Sequence, residues 1–260
     1  MTWSTGVLGC LAGLVIAAVT APVGVSGAVF LLPVQLSVLG VPSPAVTPTN
    51  LLYNVVAGPG ALIRYWRHGH VTGPLTRLLV LGTLPGVVIG ALIRVFVVPG
   101  PRLFRLVVAA VLLPLGLWLC LRTLRPGRNA PRRPPSRRWV TLLAVTVGIV
   151  GGIYGIGGGS LLGPILVGRG LPVAVVAPAA LASTFLTSIA GALAYTVLSL
   201  TTTGDIAPNW SLGLLCGLGG LIGGYLGARL QPHLPEPALR LLLGLLAVIL
   251  GTLYITETVR

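Results

Sequence analysis

Between Trp139 and Leu171 the chain is apolar for long enough to cross a bilayer. Its middle, however, reads Gly155-Ile156-Gly157-Gly158-Gly159-Ser160-Leu161-Leu162-Gly163-Pro164. Glycine weakens a helix and proline removes a backbone donor. In lipid, backbone groups freed in this way are tolerated only where protein or a water-filled cavity receives them. The break therefore demands a close helix contact or a polar chamber at membrane depth. A half-helix starting at Gly159 or Ser160 would aim its free N–H groups and positive dipole end at such a chamber, which suits an anion.

The first half carries a counterpart, in which Gly24-Val25-Ser26-Gly27 precedes Ala28-Val29-Phe30-Leu31-Leu32-Pro33. Gly24 aligns with Gly155, Gly27 with Gly158 and Pro33 with Pro164; one residue of slip then brings Gly40 onto Gly170 and Pro42 onto Pro172. The repeat continues beyond the break. Gly86 and Gly90 align with Gly220 and Gly224, Arg105-Leu106 with Arg240-Leu241, and Gly116 with Gly251. Interrupted apolar segments at matching places in two halves point to the binding site of a transporter.

The rest of the composition agrees. Of 260 residues 55% are hydrophobic and only 8% charged, and the mean hydropathy is +0.99. This is an all-α, polytopic membrane protein, expected in the cytoplasmic membrane with little mass outside the bilayer. Residues 1–124 form a first repeat, 125–138 a basic, proline-rich linker, and 139–260 a second repeat. Each repeat has a glycine-broken first segment followed by three membrane helices. The first-half segments are 6–23, 27–40, 45–66, 78–98 and 103–124. Those of the second are 139–154, 158–170, 173–200, 210–230 and 238–255.

The net charge of +14 comes from 17 arginines and no lysine. Flanking of membrane segments explains it better than nucleic-acid binding. If each broken stretch makes one crossing, the arginines divide 11 to 6 between the two sides. If each makes two short segments, Arg64, Arg67, Arg77, the seven arginines from Arg122 to Arg138, Arg169, Arg229 and Arg240 share a side. The division is then 13 to 4. The more lopsided count is favoured. It implies inverted repeats, a cytoplasmic linker and both termini outside. Trp3, Tyr65, Trp66, Trp118, Trp139, Trp210 and Tyr254 fall near predicted interfaces.

Chemistry-bearing residues are few. The acids are Asp205, Glu236 and Glu257, all in connections or the tail. No carboxylate therefore stands at membrane depth, where ion-coupled carriers usually keep one. His68, His70 and His233 lie in connections, and Cys10, Cys120 and Cys216 are odd in number with no metal-ligand spacing. No nucleophile–base pair appears, so an enzyme, a cofactor or a bound metal is not expected. The polar groups at depth are neutral. Gln35, Thr47, Thr49, Asn50, Tyr53 and Asn54 follow the first break, and Ser183, Thr184, Thr187 and Ser188 the second. Spacings of three and four put each cluster on one helix face. Interhelical hydrogen bonding accounts for any one of them, but the two clusters together favour a binding site. The small-xxx-small runs Gly86–Gly90 and Gly220–Gly224 are read as helix packing alone.

The stretch from Gly152 to Leu166, with Gly170-Leu171-Pro172 and Ala180-Leu181-Ala182-Ser183-Thr184, resembles the signature of the sulfite exporter TauE/SafE family, also called toluene sulfonate uptake permeases. The resemblance spans nearly the whole chain, although Val25-Ser26 replaces the glycine-rich core in the first half. It implies a permease for small sulfur-containing or organic anions such as sulfite or sulfonates. The expected ligand site combines backbone N–H groups of Gly157, Gly158, Gly159, Ser160, Ser26 and Gly27 with side chains of Asn50, Asn54, Ser183, Thr184 and Thr187. The partners expected are a small anion and the lipid bilayer, not nucleic acid; a homodimer stays open. Export is the expected direction. An anion channel and a non-transporting scaffold or assembly factor remain as alternatives.

Overall fold

A computed structural model describes residues 3–67, 71–96, 102–124, 135–201 and 207–259. Among these, ten α-helices follow one another: α1 (Trp3–Thr20), α2 (Ala28–Ser37), α3 (Ser43–Trp66), α4 (Pro74–Phe96), α5 (Arg102–Leu124), α6 (Arg137–Tyr154), α7 (Leu162–Gly168), α8 (Val173–Thr201), α9 (Trp210–Leu230) and α10 (Glu236–Val259). No strand occurs among the described residues. Five helical stretches are long and apolar enough to cross a membrane: Trp3–Val23, Pro74–Phe96, Val173–Leu200, Trp210–His233 and Glu236–Thr256.

Local chemistry sets the helix ends. Ser136 caps α6 by accepting a hydrogen bond from the Trp139 N–H, and Asn209 caps α9 by accepting one from Leu212 N–H. Gly24 ends the turn after α1, and Gly155 ends α6, both in the left-handed conformation with φ of 75° and 70°. A side chain is strained there, and a Cβ at Gly155 would also lie 2.2 Å from the Thr47 carbonyl oxygen.

The helices are small inside and large outside. On α1, Gly6, Gly9, Gly13 and Ala17 are buried while Val7, Leu11 and Val15 are exposed. On α9, Gly213, Gly217, Gly220 and Gly224 are buried while Leu214, Leu218, Ile222 and Leu226 are exposed. In water this pattern would be unfavourable. In lipid, Leu and Ile meet chains as apolar as themselves, and close backbone approach supplies the packing energy. Hence a Cβ on Gly223 would stand 2.0 Å from Leu14 O, and one on Gly90 2.2 Å from Ile149 O.

The main helix contacts pair α1 with α9, α6 with α4, α5 with α10, and α3 with α8 and α9. Exchanging the first five helices for the last five returns the same set, with α8 against α4 completing it. Single contacts follow this exchange. Tyr65 donates to Ala21 O at 3.1 Å, and Tyr195 donates to Gly152 O at 2.9 Å. A Cβ on Gly116 meets Val248 N, and one on Gly251 meets Leu113 N. The glycines of α4 and α9 need a different register from the one aligned above. Gly86 and Gly90 face Val145 and Ile149 of α6, whereas the glycines facing Leu14 and Ala18 of α1 are Gly223 and Gly227. Gly220 and Gly224 point instead at Tyr53, Ala57 and Ala61 of α3. A run rich in glycine offers several faces, and only the packing selects one.

Both broken stretches turn back on themselves. Leu39, beyond α2, lies 3.8 Å from a Cβ built on Gly9 in α1. Arg169, beyond α7, stacks over the Trp139 ring in the first turn of α6, 4.4 Å from its centroid. α7 begins at Leu162 rather than at Gly159 or Ser160. Residues 158–161 form a turn closed by Leu162 N–H on Gly159 O, and Ser160 Oγ returns to Ile156 O at 2.6 Å.

Trp3, Trp66 and Trp210 are exposed, as expected of interfacial rings. Tyr65 and Tyr254 instead point inward, Tyr254 donating to Val29 O at 3.0 Å. Glu236, expected in a connection, opens α10; its Oε1 accepts from Val173 N–H and from Arg240 Nε. Cys120 and Cys216 are buried and Cys10 half-buried, all three as free thiols. His68, His70, Asp205 and linker residues 125–134 lie outside the described residues.

Candidate functional site

α3 and α8 each hold one break in place. On α3, Asn50 Nδ2 donates to Ala28 O at 2.9 Å, anchoring the start of α2. Ser26 Oγ accepts from Ala28 N–H at 3.2 Å and donates its own proton to Asn54 Oδ1. On α8, Thr187 Oγ1 accepts from Gly158 N–H at 3.0 Å and donates to Ser183 O at 2.6 Å. Ser183 Oγ pairs with Thr83 Oγ1 of α4 at 2.8 Å. Gly157, at φ 74°, and Gly159 press against Thr184, and Gly159 also against Ala180 O.

These bonds divide the expected site residues into two groups. Asn50, Gly158, Ser160, Ser183 and Thr187 use polar groups within the protein and brace the breaks. Ser26, Gly27, Asn54 and Thr184 line a cavity of about 30 Å³ between α1, the first break, α3, α8 and α9. That is room for about two water molecules. Gly157 and Gly159 back onto this cavity through Thr184. Of the expected main-chain donors, the Gly158 N–H is taken by Thr187.

Side chains add further polar atoms. Thr20 Oγ1, Tyr53 Oη, Asn54 Nδ2 and Thr184 Oγ1 all belong to cavity-lining residues, and none has a protein hydrogen-bond partner. The four residues are 2%, 1%, 3% and 3% exposed. Buried polar atoms left in this state cost about 1–3 kcal/mol each, so they mark either a water or a ligand position. The bond to Ser26 occupies one end of the Asn54 amide. Ser26 Oγ donates to Oδ1, which leaves Nδ2 as the amide end without a protein partner on this cavity-lining residue. The cavity therefore presents one amide donor and three hydroxyls that can donate. Among the described residues, no charged side chain lines it.

Three contributors were missing from the expected site. Tyr53 was placed in the polar cluster but not in the binding set; its hydroxyl would lie 2.3 Å from a Cβ on Gly27. Thr20 sits at the end of α1, ahead of the break, where no periodic signal singles it out. Thr83 is on α4 and meets the second break through its bond to Ser183 and its packing against Gly158. Across the helix exchange Thr83 with Ser183 occupies the place of Gly220 with Tyr53. One half closes its polar pair, and the other leaves a phenol pointing at the cavity. Gln35, Ser188 and the Oδ1 of Asn50 are also buried without partners, but none of these residues lines this cavity.

Comparison with known proteins yields a consistent picture. The profile of the family described as Sulfite exporter TauE/SafE matches residues 9–254. A relative described as "Probable membrane transporter protein YunE", from Bacillus subtilis (strain 168), is 24% identical over 267 residues, covering 94% of this chain and 95% of its own. No solved structure matches.

Proposed function

The chain belongs to the sulfite exporter TauE/SafE family of membrane transporters, and we propose that it carries a small oxyanion out of the cell through the cavity between its two halves. The convergence of Thr20, Tyr53, Asn54 and Thr184 on one buried cavity carries this reading. Donors without protein partners match the oxygens of sulfite or of an organic sulfonate. Being neutral, they attract the ion without trapping it.

The exchanged helix contacts and the two broken stretches that turn back support an inverted repeat in the cell membrane, with the linker in the cytoplasm. Inverted halves rocking about a central site give alternating access. The cavity's small volume fits this as well, since loading a four-atom oxyanion requires the lining to open. A continuous water-filled pore would favour a channel instead.

The direction follows from electrostatics. An anion leaving a negative interior gains about 2.3 kcal/mol per unit charge per 100 mV. With no carboxylate in the cavity lining, this force suffices for export without a protein-borne proton. The test is efflux of sulfite and methanesulfonate from proteoliposomes under an imposed potential. Saturable efflux, driven by the potential and insensitive to an uncoupler once the potential is clamped, is the expected result. Uptake that collapses with the uncoupler would count against it, and turnover beyond the rate of a conformational cycle would make the protein a channel.

A further inference from the structure

Resting on that anion-carrier reading, we infer that the cavity accepts its cargo as a monoanion, and that an acid which titrates near neutrality, such as sulfite, crosses in its protonated form, HSO3−.

The first argument is charge. Among the described residues, the cavity wall is apolar except for Thr20, Ser26, Tyr53, Asn54 and Thr184, and no arginine or histidine lines it. Arg64 and Glu236 border a separate groove with Gln231 and Leu239. Arg94, at the far end of α4, lies by Tyr154 and Tyr195 and is half-buried. The dehydration cost of an ion grows with the square of its charge, so a dianion loses about four times the hydration energy of a monoanion. Its attraction to neutral donors grows only in proportion to charge. A cage of hydroxyls and one amide can offset the first cost and falls short of the second.

The second argument is the kind of polar atom present. A guanidinium cage could only donate. A hydroxyl both donates and accepts, and Thr20, Tyr53 and Thr184 each bring one with no protein partner. A protonated oxyanion needs both roles, since its bare oxygens accept and its acid O–H must donate. Asn54 Nδ2 supplies a fixed donor, and any of the three hydroxyls can receive the acid proton.

The proton then travels on the cargo. One HSO3− carries one proton and one negative charge across, and releases the proton by ordinary acid dissociation on the far side. No side chain has to change its protonation state. Titratable groups around the cavity are phenols and thiols, Tyr53 on the wall, Tyr65 on α3, and Cys10 and Cys216 on α1 and α9.

The experiment uses the full chain in proteoliposomes with equal pH on both sides, raised stepwise through neutrality at constant total anion. Sulfite, methanesulfonate and sulfate are compared against protein-free vesicles. Sulfite flux is expected to follow the hydrogensulfite fraction, falling roughly tenfold per pH unit on the alkaline side. Methanesulfonate, a monoanion throughout, should show no pH dependence, and sulfate should not move. The receiving compartment should acidify with sulfite and not with methanesulfonate. Sulfite flux that holds steady or rises with pH, or sulfate carried as fast as methanesulfonate, overturns the inference and leaves the transporter reading intact. If none of the three anions moves, the functional reading fails first and takes this inference with it.

Discussion

At Thr184 stability and transport should pull in opposite directions. Its hydroxyl is buried without a protein partner on the cavity wall, so the folded protein carries the cost of an unpaired donor. Thr184→Val keeps the shape and removes that donor. Detergent-resistant unfolding should show the variant unchanged or more stable by about 1 kcal/mol, while anion flux falls. A loss of stability with flux preserved would mean that the hydroxyl braces the second break instead. Gly27→Ala tests the opposite wall, because the new methyl would lie 2.3 Å from the Tyr53 hydroxyl. Tyr53 is only 1% exposed and its ring cannot swing freely. The alanine should cut flux about tenfold or more by misplacing the phenol, and Gly27→Ala with Tyr53→Phe should regain part of it. At this scale sequence reading found the two polar faces but could not sort their members. Asn50 and Asn54 share a face and a residue type. One gives its Nδ2 to Ala28 O outside the cavity lining, and the other accepts from Ser26 and keeps an unpartnered Nδ2 on a cavity-lining residue. That assignment depends on residues more than twenty positions away in the chain.

Among the helices, the two glycines Gly223 and Gly224 separate packing from site. A Cβ on Gly223 would stand 2.0 Å from the backbone oxygen of Leu14, so α1 and α9 must part for it. A Cβ on Gly224 meets nothing closer than 3.4 Å and faces the cavity. Gly223→Ala is expected to destabilise by about 1–3 kcal/mol. Gly224→Ala should stay within about 0.5 kcal/mol of the parent and act on flux by narrowing the cavity. Thermal unfolding in one detergent, with flux measured on the folded fraction, checks both. Equal destabilisation by the two would refute the division of faces. The four-residue spacing of Gly220 and Gly224 was legible, but the reading of both as packing alone missed that they line the cavity, Gly224 with nothing closer than 3.4 Å to a Cβ. Which of Gly219, Gly220, Gly223 and Gly224 faces which neighbour was not legible, because glycine has no side chain to mark a direction. The same ambiguity delayed α7 to Leu162. Several glycines in a row permit a helix start at each of them, and the turn closed by Gly159 and Ser160 selects one.

For the whole molecule, the inverted arrangement makes a labelling prediction. In a background with Cys10, Cys120 and Cys216 replaced, Trp3→Cys should react with an impermeant thiol reagent from outside. Arg138→Cys should react only from inside, or after the membrane is opened. Labelling of both from one side would contradict the inverted repeat. The membrane class, the two glycine breaks and the matching of the halves could all be read along the chain. Lipid imposes these as local demands: a long apolar run must be a helix, and a glycine cluster inside it must have a protein or polar partner nearby. What only the tertiary structure decided is which polar groups remain unspent. Hydrogen-bond satisfaction is a property of neighbours in space, so Thr187 and Ser183 could be seen as braces, and Thr20, Tyr53, Asn54 and Thr184 as a cavity wall, only once α1, α3, α8 and α9 were packed together.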